Sequence, residues 1–275
     1  MARRLPTPGP RPGVVALLTD FGQEGHHAGV VRAVVLRANP SARPVDLCHG
    51  IPAGDIALGA WTLRWSWRWF PPGTVHCAVV DPGVGTPRRA IAAAAGGQFF
   101  VGPDNGLLSY ALADAGRPIV VALPLPAAGS GGGPSATFHG RDVFAPAAAR
   151  LSLGAPLESL GGRIADWVRL GEPIARRCAP GEFEGEVVAV DRWGNLVTSL
   201  TAGLLGRESI GAGTRVRLGR RVIRGISHTY ASAPLGGAVA LINSSGHLEI
   251  AVNGGRAADL PGAGRGAIVR VLAGA

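Results

Sequence analysis

The stretch that most constrains this chain is an apolar run, residues 75–80, that breaks at once into Asp81-Pro82-Gly83-Val84-Gly85-Thr86-Pro87-Arg88-Arg89. It reads as the end of a strand running into a Pro/Gly turn. Asp81 is the first residue after the strand, and Arg88 and Arg89 follow a Gly-Val-Gly loop. In an open α/β sheet, ligands bind outside the carboxyl ends of strands. A carboxylate and a guanidinium joined there by a loop of little side-chain bulk can line a small pocket. The plainer alternative is a tight turn whose Asp accepts from backbone N–H groups and whose arginines are solvated.

The preceding chain repeats this grammar. Residues 14–18 read as a buried strand ending in Thr19-Asp20-Phe21-Gly22, followed by a helix over 28–37 that Asn39-Pro40 closes. Asp20 therefore also stands at a strand's carboxyl end. A carboxylate there can accept from two vicinal ribose hydroxyls, or it can cap the next helix. Residues 44–49 form a second strand with His49 at its end, and 55–69 a helix. Trp61, Trp65 and Trp69 recur every fourth residue, which predicts one shared face, with Arg64 and Arg68 beside it. Aromatic and basic residues interleaved can stack on nucleic acid, but packing on the sheet or at a subunit contact is the favoured reading. Strands are expected at 91–95 and 98–101, a turn at 102–106 and a short helix at 107–113. Residues 127–136, rich in Gly, Ala, Ser and Pro, read as a flexible loop able to cover a site. His139, Arg141 and Asp142 follow it directly. A His beside a Gly hinge and such a loop is a catalytic candidate.

Composition then shifts. Residues 171–181 read as a linker, and from Glu182 the pattern is short strands and turns, predicting a small β-barrel or sandwich. Strands are expected at 185–190, 196–200, 215–218, 222–227, 238–242, 247–252 and 268–272. Two turns stand out, Asp191-Arg192-Trp193-Gly194-Asn195 and Asn243-Ser244-Ser245-Gly246. Both can present polar groups to a ligand, with Trp193 as a stacking face, or serve as ordinary hairpin turns. The expected organisation is a disordered lead-in (1–12), an α/β sandwich domain (13–172), a linker (173–183) and a smaller β-barrel-like domain (184–275).

The 275 residues suffice for two domains. All 27 basic residues are Arg, scattered without a long run, for a formal net charge of +9. That favours compositional bias over a built nucleic-acid surface, and no nucleic-acid partner is expected. Cys48, Cys77 and Cys178 lie far apart with no zinc spacing, so no metal is expected and a reduced cytoplasmic setting fits. No segment is long and apolar enough to predict a membrane span.

The motifs also read together. TDFG, VVDPGVGTPRR, GPDNGLL, TFHGRDVFAP, DRWGN and INSSGHLEI occur in that order across nearly the whole chain. The set resembles the S-adenosyl-L-methionine (SAM) hydroxide adenosyltransferase family, the SAM hydrolases, relatives of SAM-dependent fluorinase and chlorinase. The resemblance implies hydrolysis of SAM to adenosine and L-methionine with no cofactor. It implies a homotrimer in which SAM binds between one subunit's N-terminal domain and a neighbour's C-terminal domain. It assigns water activation to Asp81, Arg88 and His139, with Asp81 taking the proton directly or through His139. Asp20 is similar to the family's ribose ligand. Asp191 is expected near the methionine end and Asn195 near adenine. Trp193 stands in place of a Phe, and Ser244 and Ser245 are expected to hold the amino-acid end. The halogenases carry Tyr where Asp81 stands, and the fluorinase a halide-binding Ser where Gly140 stands; both positions here are of the hydrolase kind and argue against a halogenase, which is the alternative activity. Relatives carry an Asp where this chain has Gly25, followed by His26 and His27. Either a neighbour such as Glu24 substitutes, or the segment is shifted, or substrate is held less tightly. A SAM- or adenosine-binding protein with little turnover is the other alternative.

Overall fold

A computed structural model describes residues 13–125 and 135–274. The expected lead-in and most of the expected covering loop lie outside the described residues. Backbone contacts divide the chain into two units, one ending at Leu170 and one beginning at Gly171.

The first unit is built on a seven-stranded sheet. In chain order its elements are β1 (Val14–Thr19), α1 (His27–Ala38), β2 (Arg43–Cys48), α2 (Ile56–Ser66), β3 (Val75–Val79), β4 (Ala90–Ala95), β5 (Gln98–Pro103), α3 (Ser109–Ala115), β6 (Ile119–Leu123), α4 (Ala145–Ser152) and β7 (Gly162–Ile164). The strand order is β2-β1-β3-β5-β4-β6-β7. The first four strands of that order are parallel and the rest antiparallel. Alternate residues of each strand point to opposite faces. Val15 and Leu17 pack with Val31 and Val35 of α1 and with Ala148 and Leu151 of α4. Leu18, Ala78 and Val80 pack on the other face with Leu63 of α2 and Leu112 of α3. The result is a three-layer α/β sandwich, as the strand–helix alternation predicts.

Two local expectations change. Helix α2 starts after Asp55, whose carboxylate accepts from the Leu58 N–H at 3.0 Å, but it tightens into a 3₁₀ turn at Trp67–Trp69. That change of pitch turns Trp67 into the core against Phe100 and leaves Trp69 79% exposed. Trp61 and Trp65 still share a face, 5.3 Å apart. Strands β6 and β7 extend the sheet beyond β4, where no element was expected; β7 is only three residues long and mostly exposed, so it carries no legible periodicity.

The second unit contains β8 (Ala175–Ala179), β9 (Glu182–Val190), β10 (Leu196–Thr201), β11 (Arg215–Leu218), β12 (Arg221–Arg224), β13 (Ala238–Ile242), β14 (His247–Val252) and β15 (Ile268–Leu272). The path is β12-β11-β15-β9-β10-β14-β13, with β8 also paired to β9. Residues expected as linker thus include a strand. Its polar sequence hides it, because it is an edge strand exposed along most of its length. Ser227, just past β12, donates to Ala240 O of β13 at 2.8 Å. The two ends of the sheet therefore approach, and the barrel is nearly closed around Val187, Leu196, Val216, Leu248, Ile250 and Val269.

Candidate active site

Strands β1 and β3 are parallel neighbours with Thr19 opposite Val79. Asp20 and Asp81 therefore leave the same edge of the sheet from adjacent strands. The chain goes from β1 to β2 on one side and from β3 toward β4 on the other. Such a reversal opens a crevice at the carboxyl edge.

Local bonds shape each loop. Thr19 Oγ1 accepts from the Phe21 N–H at 3.2 Å and pairs with His49 Nδ1 at 2.8 Å. His49 is buried and holds the Asp20 turn, as its carbonyl also accepts from the Gly22 N–H at 2.8 Å. Asp20 Oδ2 accepts from the Gly54 N–H at 2.8 Å. A Cβ on Gly54 would lie 3.6 Å from Pro82 Cβ, so the Asp20 and Asp81 loops adjoin. Asn105 Nδ2 donates to Val80 O at 2.9 Å and ties down the strand end before Asp81.

Arg88 is the hub. Its Nε donates to Asp81 Oδ1 at 2.9 Å and its Nη2 to Asp81 Oδ2, a bidentate pair. The same Nη2 lies 2.8 Å from His139 Nδ1. Guanidinium has no acceptor, so His139 Nδ1 must be the acceptor and the imidazole proton sits on Nε2. Burial, and then the Arg88 charge, push the His139 pKa below its usual value, against a smaller opposite pull from Asp81 and Asp142. His139 is thus neutral at pH 7. Only 5% of the Asp81 side chain and 10% of the Arg88 side chain are exposed. The pair is sheltered enough for its electrostatics to be strong. Asp81 and His139 meet through Arg88 and have no hydrogen bond to each other among the described residues.

Two glycines allow this convergence. Gly85 has φ +77°, and a Cβ there would collide with Ala136 O, so the Asp81 loop can lie against the segment that leads to His139. Gly140 follows His139 at the start of a π-helical turn, Gly140–Phe144. Such turns recur at functional sites. A Cβ on Gly140 would lie 3.1 Å from Phe21 Cζ and 3.2 Å from Phe138 Cε2. Arg89 and Arg141 are not part of the hub. Arg89 pairs with Asp104 and Asp166, and Arg141 with Asp142. Gly25 and Glu24 are both exposed, ahead of α1.

The second unit holds the remaining expected residues in two turns. Asp191 Oδ1 accepts from the N–H groups of Trp193 (2.9 Å) and Asn195 (2.8 Å), and its Oδ2 from Asn195 Nδ2 (2.8 Å). Trp193 is 65% exposed. Ser244 and Ser245 are exposed in the β13–β14 turn. The sequence reading picked out Asn243 in that turn but gave no role to the two residues bonded beneath it, Tyr230 and Glu249. Glu249 of β14 is buried, with Oε1 accepting from Tyr230 Oη at 2.9 Å and Oε2 from Asn243 Nδ2 at 3.0 Å. The available signal was one carboxylate between the apolar Leu248 and Ile250. Among the described residues, no group of three or more His, Cys, Asp or Glu is arranged to hold a metal, and no helix is long and apolar enough to cross a membrane.

Residues 15–161 match the SAM hydroxide adenosyltransferase N-terminal domain, and residues 185–270 the C-terminal domain of the same family. The (R)-S-adenosyl-L-methionine hydrolase of Salinispora arenicola is 43% identical over 263 residues, 94% of this chain and 98% of the relative. A fluorinase of Nocardia brasiliensis is 29% identical, over 90% of this chain and 92% of its own. The crystal structure of an uncharacterized conserved protein from Thermotoga maritima superposes with a TM-score of 0.84 at 34% identity, covering 94% of this chain and 99% of that one. With both domains matched in order and the Asp81–Arg88–His139 hub between strand-end loops, the chain belongs to the SAM hydroxide adenosyltransferase family.

Proposed function

We propose that this protein is an enzyme that hydrolyses SAM to adenosine and L-methionine by attack of water on ribose C5′. The observation that carries the reading is Arg88, which ties Asp81 to His139 at the edge of the sheet. The relatives are (R)-S-adenosyl-L-methionine hydrolases, and we assign the (R) form as the substrate here.

The leaving group is a neutral thioether expelled from a sulfonium, so it needs no proton. The difficulty lies with the nucleophile. Bulk water has a pKa of about 15.7, so it must lose a proton as it attacks. Arg88 cannot take that proton. His139 Nδ1 is occupied by Arg88, and its Nε2 already carries hydrogen. Asp81 is the acceptor, since each carboxylate oxygen keeps a lone pair beyond those Arg88 uses. This favours direct transfer to Asp81 over a relay through His139. The neutral His139 then serves as a donor from Nε2 that orients the water, and Arg88 fixes both partners. Attack joins a hydroxide-like oxygen to a cationic centre, and loss of charge in that step favours a site closed to bulk water.

In this reading Asp20 accepts from the ribose hydroxyls. Asp191, Trp193 and Asn195 address methionine and adenine, and Ser244 and Ser245 the amino-acid end. The site needs no metal or cofactor. We further propose a homotrimer, testable by light scattering on the eluting protein, and a cytoplasmic setting consistent with three unpaired cysteines. The halogenase alternative is disfavoured by Asp81, and by the two rings that crowd any side chain at position 140.

The test is incubation with each sulfonium epimer of SAM in ¹⁸O-water. Adenosine labelled at O5′ with equimolar methionine is the expected result. Bound SAM with no methionine released would favour a binding protein. A 5′-halo-adenosine formed in chloride or fluoride would favour a halogenase.

A further inference from the structure

Glu249 lies near the middle of β14, opposite Val197 of β10 and Leu241 of β13. Its neighbours Leu248 and Ile250 point into the barrel core, so Glu249 occupies the other face of the sheet. Asn243, two residues beyond Leu241, continues that same face. The two Glu249 oxygens accept from Tyr230 and Asn243. Asn243 in turn is held in one orientation, because its Oδ1 accepts from the N–H groups of Ser245 (3.0 Å) and His247 (3.1 Å). One buried carboxylate thus decides which way the Asn243 amide faces, and the amide decides the backbone of the Ser244–Ser245 turn.

No cationic side chain bonds Glu249 among the described residues. Burial pushes its carboxyl up from the ordinary range, and the Asp191 charge pushes the same way, against the bonds from Asn243 and Tyr230. An apolar side chain would fill this place at less cost to stability.

We infer that Glu249 is a positioning residue for substrate binding: through Asn243 it holds the Ser244–Ser245 turn in the shape that receives the amino-acid end of SAM. The inference rests on the hydrolase reading above, which assigns that turn to the amino-acid end.

The test is a reciprocal exchange. Glu249→Leu takes the acceptor away from Asn243 Nδ2 and leaves the amide free to turn over and release Ser245 and His247. Asn243→Asp sets carboxylate against carboxylate. The double variant Glu249→Gln/Asn243→Asp restores every bond with one polarity reversed. The new glutamine donates to the new aspartate, whose other oxygen accepts from Ser245 and His247, and Tyr230 keeps its acceptor. KM and kcat for methionine release are measured on the full chain, with adenosine affinity by calorimetry as the control lacking an amino-acid end. Each single change is expected to raise KM about tenfold or more, as for loss of a hydrogen bond to a charged group. Both leave kcat and adenosine affinity within about threefold, a small effect on this scale. The double variant should return KM to near the wild-type value.

Unchanged KM in the single variants overturns the inference. So does a parallel loss of adenosine affinity, or a double variant that fails to recover. Should a single variant not fold, Tyr230→Phe and the double variant still decide. The first should raise KM alone and the second should match wild type, and failure of both overturns the inference. A wild-type chain that neither binds nor hydrolyses SAM sinks the hydrolase reading, and the inference with it. An active wild type with indifferent variants sinks the inference alone.

Discussion

Replacing Asp81 by Asn tests the chemistry and the electrostatics of the hub together. Asp81 accepts two hydrogens from Arg88, and both side chains are at least nine-tenths buried. An amide oxygen can take one of those hydrogens, but its NH₂ faces the other donor. One hydrogen bond to a charged group is lost, roughly 1.5–3 kcal/mol. The guanidinium also loses its counter-charge, and breaking a fully buried pair costs about 3–5 kcal/mol. Arg88 keeps its bonds to His139 and to Arg89 O, which reduces the total to about 2–4 kcal/mol on that scale. For units of this size that lowers Tm by roughly 5–15 °C, and the protein remains folded at 25 °C. Loss of the proton acceptor lowers kcat about 10²–10⁴-fold, while SAM binding changes much less. Thermal unfolding followed by circular dichroism reads the first effect. Chromatography of methionine at saturating SAM reads the second. A kcat within a few-fold of wild type would refute Asp81 as the acceptor, and an unchanged Tm would refute the buried pair.

Further outcomes are expected. Asp20→Ala should weaken SAM binding with little change in kcat, read by calorimetry beside turnover, and unchanged affinity would remove its ribose role. His139→Asn keeps an acceptor in the place of Nδ1 but removes the Nε2 hydrogen; kcat should fall about 10²-fold, as for loss of one donor to the reacting atoms, with Tm nearly unchanged. Gly140→Ser should destabilise the first unit by about 1–3 kcal/mol, as overpacking does, because its Cβ meets Phe21 and Phe138; urea unfolding measures this, and halogenation in chloride would contradict the hydrolase assignment. His76 is buried with its pKa lowered from 6.5 to about 4, desolvation outweighing the 2.5 Å bond to Gln98. Its stabilising contribution is present above pH 6.5 and is lost as pH falls toward 4, to a total of about 3 kcal/mol at 1.36 kcal/mol per pH unit. The slope of Tm against pH in that window should therefore be shallower in His76→Gln, and equal slopes would contradict the burial argument.

Much of this molecule is written in short-range pattern. Apolar runs of five or six residues stop at Asp20 and at Asp81, and Pro and Gly mark the breaks. Most elements fall within two residues of the expected ends, since periodicity and turn chemistry act over a few residues. That two carboxylates stand at the same sheet edge follows from the strands being parallel, which the intervening helices require. The ordered motifs also carry the family across nearly the whole chain.

What tertiary structure alone decided is which of several equivalent side chains face one another. Arg88 and Arg89 are adjacent and chemically identical, yet one reaches Asp81 and the other turns to Asp104 and Asp166. His139 is 51 residues from Arg88, and they meet because Gly85 permits close approach to Ala136. Trp67 rather than Trp69 entered the core once the helix changed pitch. Glu249 looked like a lone carboxylate between two apolar residues until the fold brought Tyr230 and Asn243 to its oxygens. Periodicity determines which face a residue occupies, because that depends on the backbone beside it. The partner on that face depends on where distant segments come to rest, and no spacing along the chain encodes it.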